Sequence, residues 1–211
     1  MPEVRLFRGR DSVGVRGIRL DDDDRVISLS VLGHVDSTPA ENRSYLRQAA
    51  VIRRSTDEES AEEEVLDNSA AAAEEEDLDA GDTEEAQLST ERYGELGAHE
   101  QFILTVSENG YGKRSSAYEY RISRRGGKGI WAMSMSARNG PLVAAFPVTD
   151  EDEVMLVTDG GQLIRLPVND IRIGGRMTQG VTLLRTALGE RVVGVAHLAD
   201  DGEEVPDAGE E

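Results

Sequence analysis

The densest positive charge in the sequence is the run Arg124-Arg125-Gly126-Gly127-Lys128-Gly129. Glycines, which lack a Cβ, let backbone N–H groups approach a phosphate closely, while arginine and lysine supply charge and hydrogen-bond donors. A glycine-rich turn with solvated charges would have the same composition, so the run alone does not decide between the two. Arg176 and Gly180 recur 51 residues after Arg125 and Gly129, and this recurrence favours phosphate binding.

Other chemistries fit the residues poorly. Gly112-Lys113 and Gly127-Lys128 lack the preceding glycine and the following Ser or Thr of a phosphate-binding P-loop. The chain has no cysteine, which excludes disulfides, thiolate zinc sites and a cysteine nucleophile. Its histidines, His34, His99 and His197, have no metal-ligand spacing. We therefore expect no catalytic residue, no metal site and no cofactor-binding residue in this chain.

The sequence repeats itself with a period near 50 residues. Val154–Val181 aligns with Ile103–Ile130 at an offset of 51, and Arg10–Val15 aligns with Arg176–Val181 at an offset of 166. Strand-rich repeats of this length predict a propeller-like array of small sheets. Because arginines and glycines recur together with the hydrophobic residues, each unit would present the same positive groups along one rim, as a track for a polyanion.

The net charge of −19 is distributed unevenly. Residues 57–100 hold eighteen acidic residues and one basic residue, and residues 200–211 hold seven acidic residues and no basic one. Residues 101–199 hold twelve Lys or Arg against nine Asp or Glu, a balance of +3. The acid belongs to an insert and a tail on a basic repeat body, and we expect those segments to compete with a bound polyanion as tethered polyanions.

Composition and repeats together predict an organisation in five segments. Large apolar residues are almost absent from residues 55–87, so this stretch cannot offset its ordering entropy and is predicted to be disordered. The five segments are 1–33, the end of one unit; 34–99, an acidic, largely disordered insert with a short helix at 39–54; 100–150, a second unit; 151–199, a third unit; and 200–211, an acidic tail.

Alternating apolar residues predict strands in all three units. The dipeptide Asn109-Gly110 between two strand patterns predicts a hairpin turn with positive φ. The predicted strands are 13–20 and 26–31 in the first unit; 102–106, 112–115, 118–122, 130–135 and 142–148 in the second; and 154–158, 162–168, 171–173, 181–185 and 191–198 in the third.

No stretch of the sequence approaches the eighteen or so apolar residues of a membrane span. The N-terminus also lacks the apolar core of a signal peptide. We therefore expect a soluble, cytoplasmic protein without a membrane partner.

Three segments carry a family resemblance: Gly110-Tyr-Gly-Lys-Arg114 within 103–114, Val13–Leu20 and Gly175–Val181. They resemble the C-terminal domain of the bacterial DNA gyrase A subunit, over residues 4–32 and 100–198, and the acidic insert is similar to alphaproteobacterial versions. The resemblance implies a six-bladed β-pinwheel that bends DNA around its basic perimeter. The expected fold is therefore all-β, a partial pinwheel with a disordered acidic insert and tail. Because the match begins within a blade, we expect an N-terminally truncated fragment.

The resemblance also implies a function. It would make the chain the DNA-binding and DNA-wrapping part of a type II topoisomerase that, together with its partner subunit, hydrolyses ATP and negatively supercoils DNA. The family's catalytic Tyr, like the sites for ATP and Mg, lies elsewhere in the holoenzyme. The implied partners are double-stranded DNA, the rest of the gyrase A subunit and the gyrase B subunit, in an A2B2 heterotetramer on the chromosome. The candidate DNA-binding residues are Lys113, Arg114, Arg121, Arg124, Arg125, Lys128, Arg165, Arg172 and Arg176.

Two alternatives remain at this point. The first is the C-terminal domain of the topoisomerase IV A subunit, since only gyrase carries the gyrase box in an early blade. The run Arg124–Gly129 resembles that box, but it occupies a later blade and lacks the leading Gln. The second is a non-catalytic protein-interaction propeller, which predicts apolar or aromatic groups on exposed faces. Trp131 and a few tyrosines are the candidates for such groups.

Overall fold

A computed structural model describes residues 6–56 and 88–198. These residues form mostly β-structure in two antiparallel sheets. The predicted disorder falls largely on residues 57–87 and 200–211, which lie outside the described residues. The elements are α1 (Pro39–Thr56), α2 (Thr90–Ala98), β1 (Phe102–Ser107), β2 (Tyr111–Ser116), β3 (Leu142–Val148), β4 (Glu153–Thr158), β5 (Leu163–Pro167), β6 (Val181–Thr182) and β7 (Val192–Leu198).

The two sheets share one plan. The first has the strand order β3-β1-β2-β6 and the second has the order β5-β4-β7. In the first hairpin Leu104 lies opposite Arg114, and in the second Met155 lies opposite Arg165. Each residue of the second pair is 51 positions after its counterpart. The repeat found in the sequence is therefore present in the strand register.

Both hairpins turn at a glycine with positive φ. Gly110 has a φ of 78° and Gly161 a φ of 85°, values that residues with a Cβ rarely adopt. At Gly110 an added Cβ would also lie 2.1 Å from the carbonyl oxygen of Leu184. The turn predicted at Asn109-Gly110 is confirmed. The third unit, called the third repeat from here on (residues 151–199), packs closely against this turn.

The second repeat (residues 100–150) and the third repeat are joined by backbone hydrogen bonds. Strand β6 comes from the third repeat but pairs with β2 of the second, with Tyr111 opposite Thr182 and Gly112 opposite Val181. The carbonyl oxygen of Gly110 accepts a hydrogen bond from the N–H of Leu183 at 2.8 Å. The third repeat therefore completes the first sheet.

A single hydrophobic core joins both sheets. Leu104 and Val106 of β1 pack in the same cluster as Val154 and Leu156 of β4, and all four are fully buried. Truncation of a buried leucine such as Leu104 to alanine costs about 2 to 5 kcal/mol in comparable cores. The two repeats are thus one packing unit rather than two independent sheets.

The strands predicted in the first unit are absent. Residues 13–20 and 26–31 have no regular structure, and Val13 is fully exposed. A strand needs a neighbour for its ladder. Residues 6–26 and 122–130 form a compact unit of their own, joined by two backbone hydrogen bonds, Arg19 N–H to Gly127 O and Gly126 N–H to Gly17 O.

Several short strands predicted in the other units are also wrong. Residues 118–122 and 130–135 lack strand structure, and Ala117–Glu119 forms a single 3₁₀ turn. Residues 171–173 contribute one isolated bridge, from Ile173 to Arg114. Their apolar residues are spaced as in strands, but 118–122 and 130–135 lie in the connection between β2 and β3, and 171–173 lies between β5 and β6. Strand β6 is likewise shorter than the 181–185 predicted.

Helix α1 begins with a capping box. The hydroxyl of Thr38 accepts a hydrogen bond from the N–H of Glu41 at 3.2 Å, and the carboxylate of Glu41 accepts from the N–H of Thr38 at 2.8 Å. Pro39 occupies the first helical position, where its missing N–H costs nothing. The side-chain hydrogen bond from Arg92, and then the Thr38 N–H, hold the pKa of Glu41 below its ordinary value.

Helices α1 and α2 are fixed to the first sheet by a tyrosine cluster. The ring of Tyr45 lies 4.9 Å from that of Tyr93 on α2 and 5.3 Å from that of Tyr118, which follows β2. The Tyr118 hydroxyl donates to the carbonyl oxygen of Leu96 at 2.8 Å. Neither described helix is long and apolar enough to cross a bilayer.

Candidate nucleic-acid interface

The nine basic residues predicted to contact DNA occupy three kinds of environment. The exposed ones can reach a ligand directly, the half-buried ones have part of the side chain covered, and the buried ones lie inside the fold. Arg121, Arg124, Arg125, Lys128 and Arg165 are exposed; Arg172 and Arg176 are half-buried; Lys113 and Arg114 are buried.

The first basic loop, Arg124–Gly129, is a solvent-facing turn. Gly126 and Gly129 have φ values of 82° and 81°, so the backbone reverses where only glycine does so without strain. Lys128 Nζ lies 3.4 Å from a carboxylate oxygen of Asp21, and both side chains are largely exposed. Such a surface ion pair is weak and screened by salt, so an incoming phosphate can replace it.

The second basic loop, Gly174–Gly180, is held more tightly than the first. Arg176 donates its backbone N–H to Glu119 and a guanidinium N–H to the carbonyl oxygen of Trp131. Gly180 has a φ of 79°, and a Cβ there would lie 2.7 Å from the carbonyl oxygen of Gly112. The recurrence of Arg176 and Gly180 is therefore partly a packing requirement.

Lys113 was predicted to contact DNA, but the structure buries it. Its side chain is 1% exposed, and Nζ donates to the carbonyl oxygens of Gly175 and Arg176 at 2.5 Å and of Thr178 at 2.9 Å. A buried ammonium is stable only when its donors are satisfied. Lys113 therefore ties β2 to the second basic loop and does not face a ligand.

Arg114 is the second predicted DNA contact that the structure buries. Its Nε donates to the carbonyl oxygen of Ile171 at 2.6 Å, its Nη2 donates to that of Asn169 at 3.2 Å, and its Nη1 pairs with Asp150. All three partners come from outside β2. We call Lys113 and Arg114, with the carbonyls of residues 169–178 that they bind, the inter-repeat clasp, and we leave both residues out of the proposed interface.

The clasp does not recur in the third repeat. The equivalent residues, 51 positions later, are Ile164 and Arg165. Arg165 has a side chain that is 61% exposed and pairs with Glu153 across the hairpin. Arginines at matching positions of the repeat therefore have different environments, because the described residues provide a covering loop for β2 but none for β5.

Sequence recurrence missed other exposed arginines of the repeat body. Arg138 and Arg185 are exposed, but neither has an arginine 51 positions away, whereas Arg191, also exposed, matches Arg25 at the offset of 166. Arg138 lies 5.0 Å from the centre of the Tyr111 ring, and its hydrogen bond lowers the pKa of the Tyr111 hydroxyl. Exposure, not recurrence, is the signal that would have found Arg138 and Arg185. No cluster of metal-ligating side chains occurs in residues 6–56 and 88–198.

Comparison with known proteins gives a consistent family. The sequence profile described as "DNA gyrase C-terminal domain, beta-propeller" matches residues 3–32, 101–149 and 152–198. The DNA gyrase A subunit of Granulibacter bethesdensis is 48% identical over 213 residues, which cover 99% of this chain and 22% of that protein. The Rickettsia bellii protein of the same name is 41% identical over 206 residues, 95% of this chain and 21% of that protein.

A solved structure described as "Structure of DNA gyrase A C-terminal domain" is 27% identical, with a TM-score of 0.45, and covers 46% of this chain and 33% of that one. The chain spans only a minor part of the curated relatives, 22% and 21% of their lengths. Both relatives carry the gyrase name, which favours gyrase over topoisomerase IV. The profile covers more than half of the residues, and the chain belongs to the DNA gyrase C-terminal domain family of β-propellers.

Proposed function

We propose that this chain binds double-stranded DNA through its phosphates, without reading the bases. The observation that supports the proposal most strongly is the surplus of exposed arginine and lysine on the repeat units. Among residues 101–198, eight Lys or Arg are exposed against four Asp or Glu. Arg121, Arg124, Arg125, Lys128 and Arg165 are all exposed there.

The chemistry of these side chains suits phosphate and not base recognition. Guanidinium groups donate two parallel hydrogen bonds to phosphate oxygens. Base-specific contacts in the major groove are made by a protruding helix or β-ribbon. In the described repeat units Arg121, Arg124, Arg125 and Lys128 lie in loops, and Arg165 lies on the short strand β5. Contacts of this kind fix DNA on the surface and favour bending of the duplex.

We further propose that the chain acts as the wrapping part of the A subunit of an ATP-hydrolysing type II topoisomerase. In that assembly the rest of the gyrase A subunit would supply the catalytic Tyr, the gyrase B subunit would complete an A2B2 heterotetramer, and ATP and Mg would bind outside these residues. The enzyme would work on the chromosome in the cytoplasm. This proposal draws on family membership, and DNA binding by the chain itself can be tested separately.

Competition between DNA sequences tests the proposal. We expect two unrelated 40-base-pair duplexes of equal length to compete equally for the full chain, within about threefold, because phosphates are the same in both. Fluorescence anisotropy with one labelled duplex measures this. A preference of a hundredfold or more for one duplex would contradict phosphate-only binding, and the absence of binding at low salt would remove the proposed function.

A further inference from the structure

Helix α1 carries a stripe of three exposed arginines, Arg43, Arg47 and Arg54. At 100° and 1.5 Å per residue, they fall within about 40° around the helix axis and about 16 Å along it. The buried residues of α1, Tyr45 and Ala49, project from a different side of the helix. The stripe is therefore a surface feature, separate from the packing face.

The helix itself holds little negative charge. Glu41 is the only acidic residue of α1. Its carboxylate already accepts hydrogen bonds from Thr38 at the helix cap and from Arg92 on α2. The fourth arginine of α1, Arg53, pairs with the buried Glu100 at 2.6 Å. Helix α1 therefore carries four arginines against one glutamate, and the three arginines of the stripe are exposed.

The stripe is held in place with respect to the first sheet. Tyr45 anchors α1 against Tyr118, which directly follows β2. Arg53 lies 5.4 Å from the centre of the Phe102 ring at the start of β1. Helix α1, β1 and β2 belong to the same compact unit. A ligand bound at the stripe would thus be bound by the same compact unit as the two sheets.

The stripe is also an addition to the family fold. The matched segments of the family profile end at residue 32 and resume at residue 101, so α1 lies wholly within the unmatched insert. A phosphate-binding surface on α1 would therefore be additional to any such surface on the repeats that define the family.

We propose that Arg43, Arg47 and Arg54 form a second phosphate-binding surface for duplex DNA. One strand of B-DNA advances about 3.4 Å per phosphate, so a stripe of about 16 Å faces roughly five phosphates. The three stripe side chains are all charged donors, which match phosphate oxygens better than the apolar centre typical of protein interfaces. The inference rests on the proposed DNA binding and extends it from the repeats to the insert helix.

The test is a salt series of duplex binding by the full chain and two triple variants. In the first, all three stripe arginines become alanine, which favours helix and removes the charge. The slope of log K against log salt should become shallower by about 2 to 3. Affinity at about 50 mM salt should fall about tenfold or more. In the matched control all three become lysine, and the slope should stay close to that of the parent chain.

Two results would overturn the inference. One is a slope and an affinity unchanged in the alanine variant, which would assign the stripe to another partner or to none. The other is an equal loss in the lysine control, which would trace the effect to something other than phosphate charge. Circular dichroism should show α1 intact in both variants. Failure of the parent chain to bind DNA would instead reject the proposed function itself.

Discussion

Replacement of Lys113 by methionine is expected to lower the free energy of unfolding by about 2 to 4 kcal/mol. Methionine fills a similar volume, but it cannot donate to the carbonyl oxygens of Gly175, Arg176 and Thr178. Hydrogen bonds to a charged group contribute about 1.5 to 3 kcal/mol, and buried carbonyls left without a donor add a penalty. Denaturant unfolding followed by circular dichroism measures the change.

The same variant separates a structural role from a DNA contact. Because Lys113 is buried within the clasp, the folded variant should bind duplex DNA with an unchanged slope of log K against log salt. A matched control is Ile164→Met, at the equivalent position of the second hairpin, which should cost less than about 1.5 kcal/mol. Unchanged stability in Lys113→Met, with a shallower salt slope, would restore Lys113 to the DNA interface.

Replacement of Arg124, Arg125 and Lys128 together by alanine should weaken duplex binding about tenfold or more. The three side chains are exposed in the first basic loop, and the described contact that they lose is the weak pair of Lys128 with Asp21. Surface changes of this kind usually alter stability by less than about 0.5 kcal/mol each. Anisotropy with a labelled duplex at low salt gives the affinity.

A charge-preserving variant, with Lys at 124 and 125 and Arg at 128, is the control for that experiment. It should retain most of the affinity, since phosphate attraction depends chiefly on charge. If the alanine variant unfolds, the loop is structural. If it binds as tightly as the parent chain, the first basic loop is not part of the interface.

The regular strands follow from local sequence. The predicted strand at 142–148 coincides with β3, and the pattern at 154–158 gives β4 with one further residue, Glu153. On β4 the buried residues Val154, Leu156 and Thr158 alternate with half-buried ones. Period-two burial of this kind is set by neighbouring residues, so sequence alone is enough to find it.

The clasp could not be found in the same way. Lys113 and Arg114 point to opposite faces of β2, yet both are buried. The cover comes from carbonyls about 60 residues further along the chain. A charged pair on a hairpin strand looks solvent-facing when only its neighbours are considered. The matching arginine, Arg165, supported the incorrect expectation that Arg114 faces solvent. Arg165 itself is exposed because no loop of the described residues covers β5.

In the first predicted repeat unit, residues 1–33, the sequence pattern predicted strands that do not form. Val13–Leu20 alternates as a strand does, but strand formation depends on a partner and not only on alternation. The structure gives this segment two backbone hydrogen bonds to the loop at residues 126–127. Sequence patterns predict what a segment can pair with, and the tertiary neighbours decide whether it pairs.

The most direct test of phosphate binding is the salt dependence of duplex affinity for the full chain. With about five phosphates contacted, log K should fall with log salt at a slope near −4 to −5. Affinity would then drop several-hundredfold, roughly, between 50 and 200 mM salt. That result would support a surface that neutralises DNA phosphates. A response that is flat over the same range would contradict the account.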